Sequence, residues 1–299
     1  MLTNYNEIFA AIEKLPKKTI SVAMADDHSV LEAIKSLKEK DIANAYLVGD
    51  SEKIRLISEE IGFAVEDKYI ISADTPEDAA TKSVELIRLG KADVLMKGHI
   101  LTPILMKAVL DKEKGLRKGS NMSHVAVAEV ENYPRLIFIT DGGININLSL
   151  ETKVAILKNA VDLANKVGLE TPNIAALCPI EKVNPKIQET VDADELRKMA
   201  ADGEFGNVVL EGPIAMDVAL TVRAAKRKGI DSKIAGKTDI FLVPSLTTGN
   251  ALIKILMVIS RAKVGGVVLG AKVPIILLSR SDNPEEKMYS IGLSIIACD

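Results

Sequence analysis

The feature that most constrains the fold is an alternation, repeated along the chain, of short β-branched runs and longer amphipathic stretches. The short runs are bounded by turn residues, as strands are, and they are TISVAMA (19–25), ANAYLVG (43–49), YIIS (69–72), ADVLMKG (92–98), HVAVAEV (124–130), RLIFIT (135–140), NIAALC (173–178), NVVLEG (207–212), DIFLVP (239–244), GGVVLG (265–270) and VPIILLS (273–279). Between them, apolar residues recur three and four positions apart, as in residues 149–168 and 250–266, which predicts helices. This order is typical of an α/β fold with mostly parallel sheets.

One segment departs from the βαβ order. Residues 124–140 place two strands on either side of the polar turn ENYP, which predicts an antiparallel hairpin. The chain has 299 residues, enough for two domains or one large α/β unit. A hairpin inserted into the series suggests that a second domain begins near Gly119.

The charge and composition argue against nucleic acid and membrane partners. The net charge is -3, aromatic residues make up 3% and Trp is absent, so neither a basic surface nor stacking side chains are expected. The N-terminus has no basic start followed by an apolar core, so no export signal is expected. The most apolar stretch, residues 264–278, is too short to cross a bilayer as a helix. We therefore expect a cytoplasmic protein.

Neither a metal site nor a standard nucleotide site is expected. The 2 cysteines stand far apart in sequence, and the 3 histidines show no metal-binding spacing. No Gly-x-Gly-x-x-Gly motif is present. GIDSKIAGKT (229–238) is similar to a phosphate-binding loop, but its glycines are separated by too many residues, and it precedes a strand where such a loop opens a helix.

Polar residues follow several predicted strands. In parallel α/β sheets, ligands bind beyond the carboxyl ends of the strands. The polar strand ends are Lys97, Gly98, His99 and Thr102; Thr140, Asp141 and Asn145; Glu211, Gly212 and Asp217; Ser245, Thr247, Thr248, Gly249 and Asn250; and Ser279, Arg280 and Asp282. Each segment alone also admits a structural interpretation, because Gly, Asn, Thr and Asp form turns and helix caps. Lys97 and Arg280 follow apolar strands directly and need anionic partners where they are partly buried, which predicts a phosphate-bearing substrate.

The last polar segment has two interpretations. Asn283 followed by Pro284 predicts the N-cap and first residue of a helix, which puts Glu286 at the third helical position, where it can complete a capping box. Alternatively, Glu286 handles a proton in a reaction, with Asp282 as a second candidate.

Six motifs, taken together and in order, carry a family resemblance. They are LMKGHILT (95–102), GLRKGSNMSHV (115–125), TDGGIN (140–145), EGPIAMD (211–217), VPSLTTGNALIK (243–254) and LLSRSDNPEE (277–286). From about Ala92 onward the chain resembles the phosphate acetyl/butyryltransferase family, and most closely its butyryltransferase branch.

The resemblance implies an architecture and a reaction. It implies two α/β/α domains with an active site in the cleft between them, the first domain being discontinuous (1–119 plus 267–299) and the second continuous (120–266). It also implies a homodimer or higher homo-oligomer. The implied reaction moves a short acyl group, with butyryl preferred, between coenzyme A and inorganic phosphate. Coenzyme A is then a substrate, and no permanently bound cofactor is expected.

The resemblance also assigns site residues. In the family the Ser-Arg pair after the last strand is catalytic, which matches Ser279 and Arg280. The acetyl branch has an aspartate where this chain has Glu286, so the general base is Glu286 or Asp282. The substrate-binding residues implied are Lys97, Gly98, His99, Thr102, Arg117, Ser120, Asp141, Asn145, Thr248, Gly249 and Asn250. No histidine lies beside Ser279 in sequence, which favours direct transfer in a ternary complex over a covalent acyl-enzyme.

Three other functions stay open on the sequence. One is a phosphate acetyltransferase, and another is a regulatory domain that binds acyl-CoA without catalysis. The third is a metal- and NAD-dependent decarboxylating dehydrogenase of related architecture, which would need clustered aspartates that the sequence does not show.

Overall fold

The computed structural model describes residues 1–119, 121–277 and 283–298, and the chain divides into two compact units. The first unit contains Ile8–Ser120 and Gly265–Asp299, and the second contains Met1–Glu7 and Asn121–Val264. These divisions lie near the predicted domain limits, except that the first seven residues group with the second unit. That each unit is a domain that folds by itself stays a prediction.

The helices and strands alternate along the described chain as the sequence pattern predicts. In chain order they are α1 (Tyr5–Ile12), β1 (Lys18–Ala23), α2 (His28–Glu39), β2 (Ala43–Gly49), α3 (Ser51–Glu60), β3 (Ile70–Ser72), α4 (Pro76–Arg88), β4 (Val94–Lys97), α5 (Thr102–Val109), β5 (Ser123–Glu129), β6 (Ile137–Thr140), α6 (Leu150–Lys166), β7 (Asn173–Leu177), α7 (Gln188–Ala201), β8 (Val209–Ile214), α8 (Met216–Leu220), α9 (Val222–Arg227), β9 (Ile240–Leu242), α10 (Leu246–Val258), β10 (Lys263–Leu269), β11 (Ile275–Ile276) and α11 (Pro284–Ala297).

In the first unit, the strand order is β3-β2-β1-β4-β11-β10. The strands from β3 to β11 run parallel, and β10 runs antiparallel to β11. β4 is central, and all four of its residues are buried. Val22 pairs with Met96, and Ile276 also pairs with Met96. The carboxyl ends of β1, β4 and β11 therefore meet at one edge of this sheet.

In the second unit, the strand order is β5-β6-β9-β7-β8. β5 and β6 form the predicted antiparallel hairpin, and the other neighbours are parallel. Phe138 and Phe241 are fully buried, and Thr140 pairs with Leu242. The carboxyl ends of β6 and β9 therefore lie side by side. The N-terminal segment is held to this unit by Tyr5, whose hydroxyl donates to the Val127 carbonyl at 2.7 Å.

The predicted α/β fold with mostly parallel sheets is confirmed, but the helix predicted over residues 250–266 was wrong at both ends. The helix α10 begins at Leu246, because the Ser245 side chain caps it by accepting from the Thr248 amide. It ends at Val258, and Arg261 takes a left-handed conformation with φ 50° before β10 begins. None of the helices within the described ranges is both long enough and apolar enough to cross a bilayer.

Candidate active site

A tight turn at the end of β4 presents the predicted residues of the first unit. Lys97 is the last residue of β4 and is only 6% exposed, with its Nζ 3.4 Å from the Gly98 carbonyl oxygen. The Gly98 amide donates to the Ala23 carbonyl at 2.8 Å. A Cβ at Gly98 would lie 2.1 Å from the Met24 carbonyl oxygen, so only glycine fits this turn. The turn therefore holds a buried cation at the carboxyl edge of the sheet.

His99 and Thr102 follow Lys97 on the same edge. The His99 amide donates to the Met24 carbonyl at 2.7 Å, while its imidazole is 63% exposed. Its Nδ1 lies 3.5 Å from an Asp27 carboxylate oxygen. Thr102 is exposed and is the first residue of α5. The structure thus brings Lys97, Gly98 and His99 together, and adds Asp27, which was not predicted.

A buried aspartate organises the loop after β6 in the second unit. Asp141 is fully buried, and its Oδ1 accepts from the amides of Gly143 at 2.8 Å and Ile144 at 3.0 Å. Its Oδ2 accepts from the Asn145 amide at 3.1 Å and from the Asn145 Nδ2 at 2.6 Å. The Asn145 Nδ2 also donates to the Met122 carbonyl at 2.8 Å. The carboxylate of Asp141 therefore fixes the loop and the side chain of Asn145.

The first turn of α10 packs against that loop. Thr248, Gly249 and Asn250 belong to this turn, and Gly249 is buried. A Cβ at Gly249 would lie 2.8 Å from the Gly142 Cα, so two glycines in contact let the loop and the helix approach. The Asn250 Nδ2 lies 3.5 Å from the Gly142 carbonyl oxygen. Asp141, Asn145, Gly249 and Asn250 are thus gathered at one edge of the second unit.

A second residue outside the predicted set, His124, contacts this group. A Cβ at Gly143 would lie 3.0 Å from the His124 Cγ, which shows that the imidazole packs against the loop. The pairing of β5 with β6 places it there, since Thr140 donates through its hydroxyl to the His124 carbonyl at 3.0 Å. The predicted hairpin was the sequence signal that could have found this contact. For Asp27, the signal was an aspartate placed just before a helix and after a strand.

The predicted strand end at Glu211 lies within β8, which continues to Ile214, and Glu211 and Asp217 each bond to neighbouring segments. Glu211 accepts from the Ser232 hydroxyl and from the Lys233 amide, both at 2.6 Å. Asp217 accepts from Lys228 at 2.9 Å, and this hydrogen bond is the main reason that the pKa of the Asp217 carboxyl lies below its ordinary value. These contacts give the strand end a structural explanation.

The remaining predicted residues are Arg117 and four that the structure does not describe. Arg117 is exposed, and its backbone pairs with Ala271, which precedes β11 and so lies on the side where that strand begins. Ser120, Ser279, Arg280 and Asp282 lie outside the described residues. In sequence, Ser279 follows β11 by only three positions.

The capping box predicted around Glu286 is confirmed. The Asn283 side chain accepts from the Glu286 amide at 2.9 Å, and the Glu286 Oε2 accepts from the Asn283 amide at 2.8 Å. Pro284 is the first residue of α11, as predicted. The box holds the Glu286 carboxylate at the helix N-terminus, with one oxygen engaged by the backbone.

No group of three or more His, Cys, Asp and Glu side chains suited to a metal ion occurs in the described part of the chain. The Cys178 thiol is buried, and burial is the main reason that its pKa is raised to about 12. A thiol with this pKa stays protonated near neutral pH and is a poor nucleophile.

Comparisons with known proteins identify the family. Residues 69–295 match the family described as Phosphate acetyl/butaryl transferase. A phosphate butyryltransferase from Clostridium acetobutylicum is 42% identical over 296 residues, which cover 99% of this chain and 98% of that protein. A phosphate acetyltransferase from Thermotoga maritima is 40% identical over 279 residues, covering 93% of this chain and 95% of that protein.

A solved structure agrees with these matches. The crystal structure of a branched-chain phosphotransacylase from Enterococcus faecalis V583 superposes with a TM-score of 0.83 at 30% identity, covering 94% of this chain and 99% of that one. The resemblance inferred from the motifs is therefore confirmed. The chain belongs to the phosphate acetyl/butyryl transferase family, the phosphotransacylases that exchange acyl groups between coenzyme A and phosphate.

Proposed function

We propose that the chain is a phosphate butyryltransferase, which converts butyryl-CoA and phosphate into butyryl phosphate and coenzyme A, and the reverse. The transfer is direct, in a ternary complex. The observation that carries the proposal is the buried lysine at the end of β4, in a chain whose butyryltransferase relative matches it along nearly its whole length.

Lys97 binds the phosphate substrate. Lys97 lies at the carboxyl edge of the sheet, where parallel α/β sheets bind ligands, and its ammonium group can bring a positive charge to a phosphate dianion bound there. β11 pairs with β4, and the chain leaving β11 carries Ser279 and Arg280 in sequence soon afterwards. Arg280 adds a planar, two-pronged contact to phosphate, whereas Lys97 acts as a point charge.

The reaction exchanges one bond for another at the acyl carbonyl. A phosphate oxygen attacks the thioester carbon, a C–O bond forms, and the C–S bond then breaks to release the thiolate of coenzyme A. Ser279 donates a hydrogen bond to the departing sulfur. Glu286 takes the proton of hydrogen phosphate during the attack and returns it to the thiolate, and Asp282 is the second candidate for this role.

The polar group of the second unit binds coenzyme A. Asn145 and Asn250 offer amide donors and acceptors, and exposed Thr248 offers a hydroxyl. Asp141 is a positioning residue, since its carboxylate is already bonded to the loop and to Asn145. His99, Thr102 and Ser120 complete the proposed substrate contacts.

Butyryl is proposed over acetyl because the butyryltransferase relative matches a larger share of the chain, although an acetyltransferase relative is 40% identical. Each buried methylene contributes about 0.8 kcal/mol, so a pocket shaped for two more carbons can favour butyryl-CoA by about tenfold or somewhat more. The test is coenzyme A release from a series of acyl-CoA substrates with phosphate, without added metal or nucleotide.

The outcomes of that assay separate the alternatives. The highest kcat/KM with butyryl-CoA supports the proposal. A higher kcat/KM with acetyl-CoA makes the protein an acetyltransferase. Tight acyl-CoA binding without release identifies a regulatory domain. A requirement for NAD and a divalent metal would identify a dehydrogenase.

The proposal includes the setting of the enzyme. It works as a homodimer in the cytoplasm, where coenzyme A and phosphate are both available, and it needs no permanently bound cofactor. Three exposed apolar side chains near the end of α10, Ile255, Val258 and Ile259, support self-association. Light scattering of the purified chain gives the mass, and a monomeric mass would remove this part of the proposal.

A further inference from the structure

The loop that follows β1 supports the turn that carries Lys97 and His99. The carbonyls of Ala23 and Met24 accept from the amides of Gly98 and His99 at 2.8 and 2.7 Å. Met24 adopts a left-handed backbone conformation with φ 57°, which few residues other than glycine adopt readily. Because β1 and β4 are parallel neighbours, their two exit loops are joined residue by residue.

Asp27, at the end of this loop, contacts the N-terminus of α2 with one carboxylate oxygen and the His99 imidazole with the other. Its Oδ1 accepts from the Val30 amide at 3.1 Å and caps α2. Its Oδ2 lies 3.5 Å from the His99 Nδ1. The Asp27 side chain is 32% exposed, against 63% for His99. A carboxylate fixed by a helix cap can therefore orient the exposed imidazole of His99.

The neighbouring charges do not compete for Asp27. The adjacent Asp26 is buried and pairs with Lys53 at 3.1 Å, and His28 lies 3.4 Å from Glu60. Burial acts to raise the pKa of the Asp27 carboxyl, but hydrogen bonds from the Val30 amide and the Ser29 side chain, with the charge of His99, outweigh it. The pKa of Asp27 therefore lies below its ordinary value, and the group is a carboxylate at neutral pH.

We propose that Asp27 is a positioning residue for acyl transfer, which holds the His99 imidazole with its Nδ1 proton directed at the carboxylate and its Nε2 left for the phosphate substrate. The inference rests on the proposed function of His99 in substrate binding. Which nitrogen of a histidine carries the proton is set by the hydrogen bond that the other makes. With Nδ1 protonated, Nε2 accepts a hydrogen bond from the hydroxyl of the bound hydrogen phosphate and orients it, before Glu286 takes that proton during the attack.

The matched variants are Asp27→Asn and Asp50→Asn. Asp50 caps α3 by accepting from the amides of Glu52 and Lys53 at 3.0 and 3.1 Å, but no contact joins it to His99 among the described residues. Asparagine caps helices about as well as aspartate, so both variants should melt like the parent protein. We expect Asp27→Asn to lower kcat/KM for phosphate about tenfold, the effect of about 1.4 kcal/mol, and Asp50→Asn to leave it unchanged.

A double variant tests whether Asp27 acts through His99. If it does, Asp27→Asn has no further effect in a His99→Gln background, because the group it positions is gone. Equal activity of Asp27→Asn and the parent overturns the proposal, and so does a full additional loss in the double variant. Full activity of His99→Gln also overturns it, while acyl exchange by the parent protein still supports the proposed function.

The tautomer of His99 gives a readout that needs no turnover. The chain has 3 histidines, so imidazole nitrogen resonances can be assigned by single substitutions. We expect His99 to carry its neutral-form proton on Nδ1 in the parent protein and in Asp50→Asn, and to shift to the Nε2-protonated form in Asp27→Asn. An Nε2-protonated His99 in the parent would contradict the proposal.

Discussion

At the scale of single residues, two of the buried lysines, Lys97 and Lys153, differ in their position in the fold. Lys153 is 5% exposed and donates to Asp192 at 2.6 Å, so an internal carboxylate compensates its charge. Lys97 is 6% exposed and lies at the carboxyl edge of the sheet, with its Nζ 3.4 Å from the Gly98 carbonyl oxygen. A phosphate bound at that edge would accept a charge-assisted hydrogen bond from this lysine.

Replacing Lys97 by Met should impair phosphate binding more than folding. Hydrogen bonds to charged groups contribute about 1.5–3 kcal/mol, so we expect the KM for phosphate to rise about ten- to hundredfold while the melting temperature changes little. Lys153→Met is the control. It leaves a buried aspartate unpaired, so it should cost about 3–5 kcal/mol of stability without raising the KM of the remaining folded enzyme. An unchanged KM in Lys97→Met would remove this lysine from the site.

Glu286 is a cap, and its proposed second role as a base can be isolated. Glutamine can accept from the Asn283 amide as the carboxylate does, but it cannot take a proton. We expect Glu286→Gln to melt like the parent protein and to lose about a hundredfold or more in kcat, the range of lost acid–base catalysis. Normal turnover would leave Glu286 as a cap alone, and Asp282→Asn would then be the variant to measure.

At the scale of helices and strands, the contact between the loop after β6 and the start of α10 depends on glycine. A Cβ at Gly249 would meet the Gly142 Cα at 2.8 Å and the Asp141 carbonyl oxygen at 2.9 Å. Both neighbours are backbone atoms, so the helix or the loop must move. The same loop and helix carry Asn145 and Asn250. The distance between these two side chains therefore depends on the close contact of Gly142 with Gly249.

We therefore expect Gly249→Ala to be destabilising although alanine favours helices. The gain in helix propensity is about 1 kcal/mol, and overpacking against backbone costs about 1–3 kcal/mol. Gly292→Ala in α11 is the matched control, since its Cβ would meet flexible side chains, Phe9 at 3.3 Å and Ile8 at 3.4 Å. The free energies of unfolding of both variants, measured in urea, test this expectation. Equal stabilities would show that the contact after β6 yields easily.

The sequence predicted the strands well because their periodicity and turn residues are local signals. β2, for example, has the predicted bounds of residues 43–49. It did not predict that β10 runs antiparallel to β11, because strand direction depends on pairing between segments. The overrun of the helix before β10 has a related cause, since apolar residues continue past Arg261 and only its left-handed backbone marks the break.

The site was predicted in part for similar reasons. Strand ends identified Lys97, Asp141 and Asn250, because polar residues after apolar runs are visible in one dimension. The capping position of Asp27 is a local signal, but its contact with His99 joins the ends of β1 and β4, which are distant in sequence, so the partner could not be predicted. The substrate roles of all these residues stay predictions.

At the scale of the whole molecule, the two cysteines report on different units. Cys178 is buried in the second unit, whereas Cys298 is half-buried in the first. Because the pKa of Cys178 is raised to about 12, mainly by burial, its thiolate is scarce at pH values near 8. One cysteine in each unit allows the unfolding of the units to be followed separately.

We expect pulse alkylation of the native protein near pH 8 to label Cys298 and to spare Cys178. Along a urea gradient, Cys178 should become reactive only when the second unit unfolds, because its protection comes from burial. Mass spectrometry of the peptides distinguishes the two sites, and a Cys298→Ser variant checks the assignment. Rapid labelling of native Cys178 would contradict the burial described here.

The division of the chain between the units also determines which unit is completed first during synthesis. The second unit has all its residues once position 264 has left the ribosome, whereas the first unit still lacks β10, β11 and α11. Until β11 arrives, β4 is an open edge strand made of buried residues, the kind of surface that pairs with other chains. A nascent chain that has reached position 264 therefore carries every residue of the second unit, while the central strand of the first unit is exposed to aggregation until β11 emerges.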